Sequence, residues 1–553
     1  MQREMRGTVL SEGLCIGTVV KLPHKKNKDT REKIPADKVA DECLKFKDIQ
    51  ETVYQKLQAL IEKAEKTDDS AQAEILKGYV AILNDPELEA DITEKIKTEH
   101  DSLPTALFLT ANEYVEDMKS LEDEYLRQRA DDFNELFSML LFCTDPSSDR
   151  KTPLLVQKSV VAAHTLTPID MAELDKNMLL GIVSQTGNKT SHAAIIARAN
   201  GIPMLSGIPY DTVKNGDTVI IDGADLFINP DADKIQSANT KHTILQKEQQ
   251  SLKTLISKPA VTLNGLRVEL KANIGSPDEL PKVKEQNADG IGLFRTEFIL
   301  NENVQTAPSE DFQYGIYSSV LKAMNDKPVT IRTFDIGGDK QYPCFPIPPE
   351  ENPFLGWRGI RYCLDNPDFF CTQLRALFRA STEGNLHIMF PMISTENEVK
   401  KILEFVGQVK ADLDAKGIPY STQVKLGIMI ETPAAALIAD KLAPLVDFFS
   451  IGSNDLTQYT LAVDRGNDKI SALYQESHPA VLQLIRKVIE TGIKHGKEVS
   501  VCGEMAGDSA LTKKLLNLGL RCFSMTAVNI QKVKREILSA NIEFAEKNNE
   551  EVQ

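Results

Sequence analysis

The chain has 553 residues, too many for one hydrophobic core, so two to four domains are expected. Its 64 basic and 80 acidic residues leave a formal charge of −16, which argues against a nucleic-acid partner and suits a basic protein or a small anion held in a locally basic cleft. The start, MQREMRGTVLSEGL, lacks a signal-peptide core, no run of about 18 apolar residues offers a membrane span, and the eight cysteines form no C-x-x-C pair, so free thiols in a reducing cytoplasm are expected.

Residues 7–21, GTVLSEGLCIGTVVK, read as short strands about a glycine turn. The pattern then changes. From Pro35 to Thr67, apolar residues fall at Val39, Cys43, Phe46, Ile49, Val53, Leu57, Leu60 and Ala64, steps of three and four that make one helical stripe. Helical patterns follow at about 70–83, 86–99, 104–121 and 123–142, with Asp85-Pro86 and Leu103-Pro104 as start signals. This predicts a helical bundle over 29–145. Strand patterns return in LLVQKSVVAA, LLGIVSQ, IPMLSG and DTVIIDGADLFINP. The bundle is therefore expected as an insertion in a small α/β domain formed by 1–28 and 146–230. Residues 231–260 are polar and predict a helical linker.

Over 261–553, short apolar strands alternate with helical stretches: LKANIG, GIGLFR, VTIRTF, LHIMFP, KLGIMI, FFSIGS, VSVCGE and CFSM. Eight βα units predict a closed (β/α)8 barrel, with its active site at the carboxyl ends of the strands. Those ends carry Arg295 and Glu297, then Arg332, Asp335 and Lys340, then Glu431, then Asn454 and Asp455 with Arg465 further on, then Cys502 and Glu504. Arg358 stands in NPFLGWRGIR. Any one charged strand end is what contact with water would select. The set as a whole is complementary. Guanidinium groups match phosphate and carboxylate oxygens, and two carboxylates on neighbouring strands can hold one Mg2+. Cys502 is either a small apolar side chain or, in a site that forms an enolate, a proton donor to carbon.

The stretch KTSHAAIIAR, residues 189–198, follows a strand and a turn and opens a helix that Asn200-Gly201 ends. His192 falls in its first turn. Free N–H groups there favour an anion, and the positive helix end favours a neutral imidazole, as a nucleophile requires. The other reading is a histidine that only helps to cap the helix.

These segments carry a resemblance. KTSHAAIIAR resembles the active-site histidine segment of the phosphoenolpyruvate-utilising enzymes. GIGLFRTEF, IRTFDIGGDK, NPFLGWRGIR, GIMIETP, SIGSNDLTQYTLAVDRGND, CGEMAGD and FSMTA resemble their phosphoenolpyruvate-binding barrel. The order of the segments, with the helical insertion, resembles the phosphoenolpyruvate–protein phosphotransferases, the enzyme I group of the bacterial sugar phosphotransferase system. The resemblance implies that His192 accepts the phosphoryl group on Nε2. It implies that Arg295, Arg332 and Arg465 clamp phosphoenolpyruvate, that Asn454 helps to position it, and that Glu431 and Asp455 hold Mg2+. Arg358 and Lys340 match further substrate-binding positions, and Thr167, in HTLTP, would orient the imidazole. By the same resemblance Cys502 protonates enolpyruvate to pyruvate. His192 then passes the group to the phosphocarrier protein HPr, docked on the helical insertion of a cytoplasmic enzyme that dimerises through its barrel.

The chain departs from that pattern in places. Asn188 follows Gly187 where the family has two glycines. Asn tolerates a left-handed backbone, so the turn is expected to survive. Ser11-Glu12-Gly13 replaces an SPG turn, and Tyr79 stands where a histidine is common. The chain ends soon after FSMTAVNIQKVKREILSAN, which predicts a short last barrel helix or none. Pyruvate phosphate dikinase and phosphoenolpyruvate synthase carry a nucleotide-binding domain ahead of the histidine, and no glycine-rich phosphate loop precedes His192 here. A non-catalytic regulatory homologue would not need the intact set of Arg, Glu, Asp, Cys and His.

Overall fold

The computed structural model describes residues 3–23, 31–66, 70–120, 124–144, 155–189, 191–301, 308–338, 342, 345, 347–348, 350–467 and 469–542. The chain divides into two units, Met1–Lys247 and Glu248–Gln553. Among the described residues no helix is long and apolar enough to cross a membrane.

The first unit holds a sheet of eight strands: β1 (Arg3–Arg6), β2 (Thr8–Ser11), β3 (Leu14–Lys21), β4 (Ser159–Ala163), β5 (Leu179–Ser184), β6 (Met204–Ser206), β7 (Thr218–Asp222) and β8 (Asp225–Ile228). Their order is β1-β8-β7-β3-β4-β5-β6-β2. The central β3, β4, β5 and β6 run parallel, and the flanking pairs are antiparallel. Strands β4 and β5, in the middle of the parallel set, are buried on both faces, so they read as continuous apolar runs. Strand β1, REMR, escapes the sequence reading because it is a polar, mostly exposed edge strand that owes its place to backbone pairing with β8.

Between β3 and β4 the described residues form five α-helices: α1 (Val39–Lys66), α2 (Ser70–Leu83), α3 (Pro86–Thr98), α4 (Leu103–Ser120) and α5 (Glu124–Cys143). The stripe on α1 lies in their common core, with Phe46, Val53, Leu57, Leu60 and Ala64 buried. Asp85 caps α3 by accepting the Glu87 N–H at 2.9 Å, with Pro86 in the first turn where no donor is needed. Tyr79 is not on the bundle surface. It is 1% exposed, packs in the bundle core, and donates its hydroxyl to Glu135. Among the described residues this unit also holds the α-helices α6 (Pro168–Glu173), α7 (His192–Ala199) and α8 (Ala232–Lys253), and the division between units falls inside α8.

The second unit is a closed barrel of eight parallel strands: β9 (Glu269–Ile274), β10 (Ile291–Arg295), β11 (Val329–Arg332), β12 (Leu386–Phe390), β13 (Lys425–Ile430), β14 (Phe448–Ile451), β15 (Glu498–Val501) and β16 (Cys522–Thr526). Each corresponds to one of the eight segments read from the sequence. The seam closes in register, from Cys522 opposite Glu269 to Thr526 opposite Asn273. A continuous apolar layer lies between the strands and the surrounding helices. The last barrel helix is present, Ile530–Leu538, nine residues long. It buries Ile530, Val533 and Ile537, at roughly 1.5–3 kcal/mol each, which holds a helix too short to persist alone.

Replacing Tyr79 by Phe removes one donor and keeps the ring. The expected result is a loss of about 1 kcal/mol in the bundle, read as a lower urea midpoint by circular dichroism of the full chain. An unchanged midpoint would mean that the Glu135 contact contributes nothing.

Candidate active site

The parallel barrel brings the ends of its strands to one rim, and five of them carry functional groups there. Strand β10 ends at Arg295, followed by Glu297. Strand β11 ends at Arg332, in register with Arg295. Glu431 follows β13, and Cys502 follows β15. After β14 a helix, Ser453–Leu461, starts with Asn454 and Asp455 in its first turn.

The charged groups form one connected chain. Arg332 donates from Nη2 to Glu297 at 3.0 Å and lies 3.2 Å from Asp335 through Nη1. Glu297 also accepts the Asp335 N–H at 2.8 Å. Asp335 receives Arg358 as a fork, Nε at 3.0 Å and Nη2 at 2.9 Å, the geometry that a planar guanidinium offers a carboxylate. The same Nη2 reaches Asp455 at 2.8 Å, and Arg358 Nη1 donates to the Tyr459 hydroxyl at 3.1 Å. Glu431 accepts the Met392 N–H at 2.6 Å.

Two atoms in this network have no partner. Arg332 Nε and Asp455 Oδ1 are buried with no hydrogen bond among the described residues. An orphaned buried donor and acceptor are destabilising unless something else satisfies them. Charge points the same way. Glu297, Asp335, Glu431 and Asp455 are buried carboxylates, against two buried guanidinium groups, Arg332 and Arg358. Fully ionised, the buried set carries two surplus negative charges. Burial, then Asp455 and Asp335, push the Glu431 carboxyl up to about 8, with Arg332 and Arg358 opposing. Glu431 and Asp455 are therefore fitted to hold a divalent cation, which would balance the surplus and meet the bare Asp455 oxygen.

Cys502 is 2% exposed. Burial raises its pKa, while a Ser450 hydrogen bond and the charges of Arg332 and Arg295 oppose the rise. A thiol there stays protonated near neutrality. Arg295 is half-buried and Arg465 exposed, beyond the helix that bears Asp455. Asn454 turns its amide toward Glu504, accepting the Glu504 N–H at 2.8 Å. Lys340 lies outside the described residues.

His192 and Thr167 belong to the N-terminal unit. His192 is the first residue of α7, half-buried, with Ser191 at the cap position. Thr167 caps α6, accepting the Asp170 N–H at 3.1 Å and donating to Asp170 Oδ2 at 2.9 Å. Its proton is thus committed, and a remaining lone pair can only accept, so any bond to the imidazole requires a ring N–H donor. The turn before α7 corrects one expectation. Its positive φ, 133°, falls on Gly187, and Asn188 does not have a positive φ, so the asparagine needs no left-handed tolerance. The Asn188 carbonyl accepts the Ser191 hydroxyl at 2.8 Å.

The contacts of Met392 and Tyr459 have no signature in the sequence, and helix α6 has only a short one. The six residues of α6 are too few for a period, though the Thr167-Pro168-Ile169-Asp170 capping box was there to be read. Met392 acts through its backbone, and the Tyr459 partner is remote in sequence.

Comparison with known proteins sets these groups in a family. The chain matches the PEP-utilising enzyme N-terminal domain over residues 6–129, the mobile domain over 155–225 and the PEP-binding domain over 248–542. It is 40% identical to the phosphoenolpyruvate-protein phosphotransferase of Staphylococcus carnosus, covering 98% of this chain and 95% of that one. The chain belongs to the phosphoenolpyruvate-protein phosphotransferase family of PEP-utilising enzymes. It is therefore an enzyme of the transferase class. The phosphotransferases of the same name from Bacillus subtilis and Listeria monocytogenes are 38% and 40% identical, over 100% and 99% of this chain and 97% and 96% of theirs. Among solved structures, one described as an NMR solution structure of Enzyme I (nEIt) is 31% identical, covers 44% of this chain and 99% of its own, and has a TM-score of 0.38.

The raised Glu431 carboxyl has a stability consequence. A carboxyl whose folded pKa lies above its unfolded value favours folding only at low pH, and that support is lost as pH rises toward 8. Glu431→Gln is expected to stabilise the cation-free protein by roughly 3 kcal/mol at pH 7, with the gain vanishing near pH 4.5. Thermal unfolding across that pH range, with chelator present, checks it. A loss of stability at pH 7 would contradict the assignment.

Proposed function

We propose that this enzyme takes the phosphoryl group of phosphoenolpyruvate onto its own His192, releases pyruvate, and passes the group to the phosphocarrier protein HPr. In this reading it is the first, cytoplasmic step of a sugar phosphotransferase system and works as a homodimer through its barrel. The observation that carries the reading is the barrel rim. There a buried arginine with an unpaired Nε faces a surplus of carboxylates, beside a protonated thiol.

The residues divide the work. Arg295, Arg332 and Arg465 hold the phosphate and carboxylate of the substrate, with Arg358, Lys340 and Asn454 in support. Arg332 is presented already charged. Burial works against its charge, but Glu297, Asp335 and Glu431 more than offset this. Glu431 and Asp455 would hold Mg2+, which would supply charge neutralisation to the phosphate when bound. Phosphoryl transfer depends mainly on in-line placement and charge neutralisation, which a preformed network of this kind supplies.

His192 receives the group at the start of α7, where the positive end of the helix favours the phosphate it then carries. Thr167 is fitted to orient the ring by accepting its N–H. Cys502 delivers a proton to carbon once the phosphoryl group has left, and its burial keeps that proton in place until then. The bundle α1–α5 would bind HPr through its surface rather than through Tyr79, which is buried.

Phosphoenolpyruvate labelled with 32P, with Mg2+, is expected to label the enzyme on His192, and His192→Ala to carry no label. With HPr added, pyruvate is expected to appear catalytically. Full labelling of the His192→Ala protein would falsify the acceptor assignment. Cys502→Ala is expected to slow pyruvate formation by a hundredfold or more while changing the substrate dissociation constant less than threefold. Equal losses in both would remove the proton-donor role.

A further inference from the structure

The turn that carries Cys502, Cys502-Gly503-Glu504, is gripped from both sides by asparagine amides. On one side Asn454 accepts the Glu504 N–H at 2.8 Å and donates to the Glu504 carboxylate at 3.3 Å. On the other, Asn273 donates to the Cys502 carbonyl at 2.8 Å and to the Ser524 carbonyl at 3.3 Å. Asn273 lies on β9 and Ser524 on β16. Its side chain therefore reaches across the barrel seam, past β16, to the end of β15.

The amide can sit only one way round. Both groups that its nitrogen meets are carbonyl oxygens, which accept and cannot donate. The Ser524 hydroxyl donates to its oxygen at 2.5 Å and locks the orientation. Ser524 is fully buried, and its hydroxyl has room because position 292 is glycine: a Cβ there would stand 2.2 Å from the hydroxyl oxygen. Among the hydrogen bonds of the described residues, Asn273 makes none to the Arg332–Glu297–Asp335–Arg358–Asp455 chain. Its bonds hold the thiol-bearing turn and the seam, nothing else.

A thiol that protonates carbon must point along the axis of the forming bond, and a displacement of about 1 Å can lower the rate on the order of a hundredfold. We propose that Asn273 is a positioning residue for Cys502, and that it sets the face and timing of enolpyruvate protonation. The inference rests on the reading of Cys502 as proton donor. In the step, phosphoryl loss leaves the enolate. The Cys502 S–H bond breaks, a C–H bond forms at the terminal carbon, the enolate oxygen becomes the keto carbonyl, and the sulfur remains as thiolate. No electrons enter or leave. When the thiol is misdirected, enolpyruvate escapes and ketonises in water with no preferred face.

The test uses phosphoenolpyruvate carrying one deuterium of defined geometry on its terminal carbon, turned over with HPr in tritiated water. The pyruvate methyl group is then analysed for chirality. The unmodified enzyme is expected to give a chiral methyl group. Asn273→Asp keeps the size and loses the donor. It is expected to give a racemic methyl group while 32P from phosphoenolpyruvate still reaches His192. Asn273→Ser keeps a donor and is expected to retain part of the chirality. Ser524→Ala unlocks the amide and is expected to lose part of it, which covers the case in which Asn273→Asp does not fold. A fully chiral product from Asn273→Asp, or from both milder variants, overturns the inference. Cys502→Ala is the control. A racemic product there, with Asn273 variants unaffected, leaves the proton donor standing and removes only the positioning role. A chiral product from Cys502→Ala removes the proton donor itself.

Discussion

Four buried carboxylates share the barrel rim with two buried guanidinium groups, and that imbalance is the constraint on which the site depends. Isolated charges are not left in a low-dielectric interior; they pair, take up protons or bind a counter-ion. Here Arg332 and Arg358 are both paired with carboxylates, the Glu431 carboxyl is pushed up to about 8, and Arg332 Nε and one oxygen of Asp455 are left bare. Such an arrangement works against stability. It persists because the apolar layer around the barrel is large enough to carry it.

The strand ends also explain why the groups arrive together. Parallel strands in register deliver their last residues to one rim, so residues 295, 332, 431, 455 and 502 become neighbours although they span more than two hundred positions. The proposed phosphoryl acceptor obeys another rule. His192 stands at the start of α7, in a unit built on a mixed eight-stranded sheet, where the helix N-terminus favours the anion it would carry. The proposed donor and acceptor sites are thus made by different kinds of local structure, in different units of the chain.

Much of this was legible in the sequence. All eight barrel strands were, because each is a short apolar run between helical stretches, and five of them end in the chemistry of the site. The bundle helices were, because their stripes keep a strict period and Asp85-Pro86 marks a start. Other features depend on contacts remote in sequence. Tyr79 looks like a surface difference until its hydroxyl is seen against Glu135 inside the bundle. Asn188 looks like a strained substitution until the positive φ is found on Gly187. Glu297 and Asp335 stand out as charged strand ends, but their role as the clamp on Arg332 needs the fold. Asn273 sits in the unremarkable strand ELKANI, and nothing local marks it as a neighbour of Cys502.

The charge imbalance can be measured directly. Titration of the enzyme with Mg2+ by calorimetry, at pH 7 in buffers of different ionisation enthalpy, counts the protons released on binding. The account requires about one proton per ion, given up by Glu431 as the cation takes its place, and none from the Glu431→Gln protein. Binding that releases no proton from the unmodified enzyme would contradict it, because Glu431 would then already be ionised and the surplus of buried carboxylates would not be strong enough to hold a proton on it.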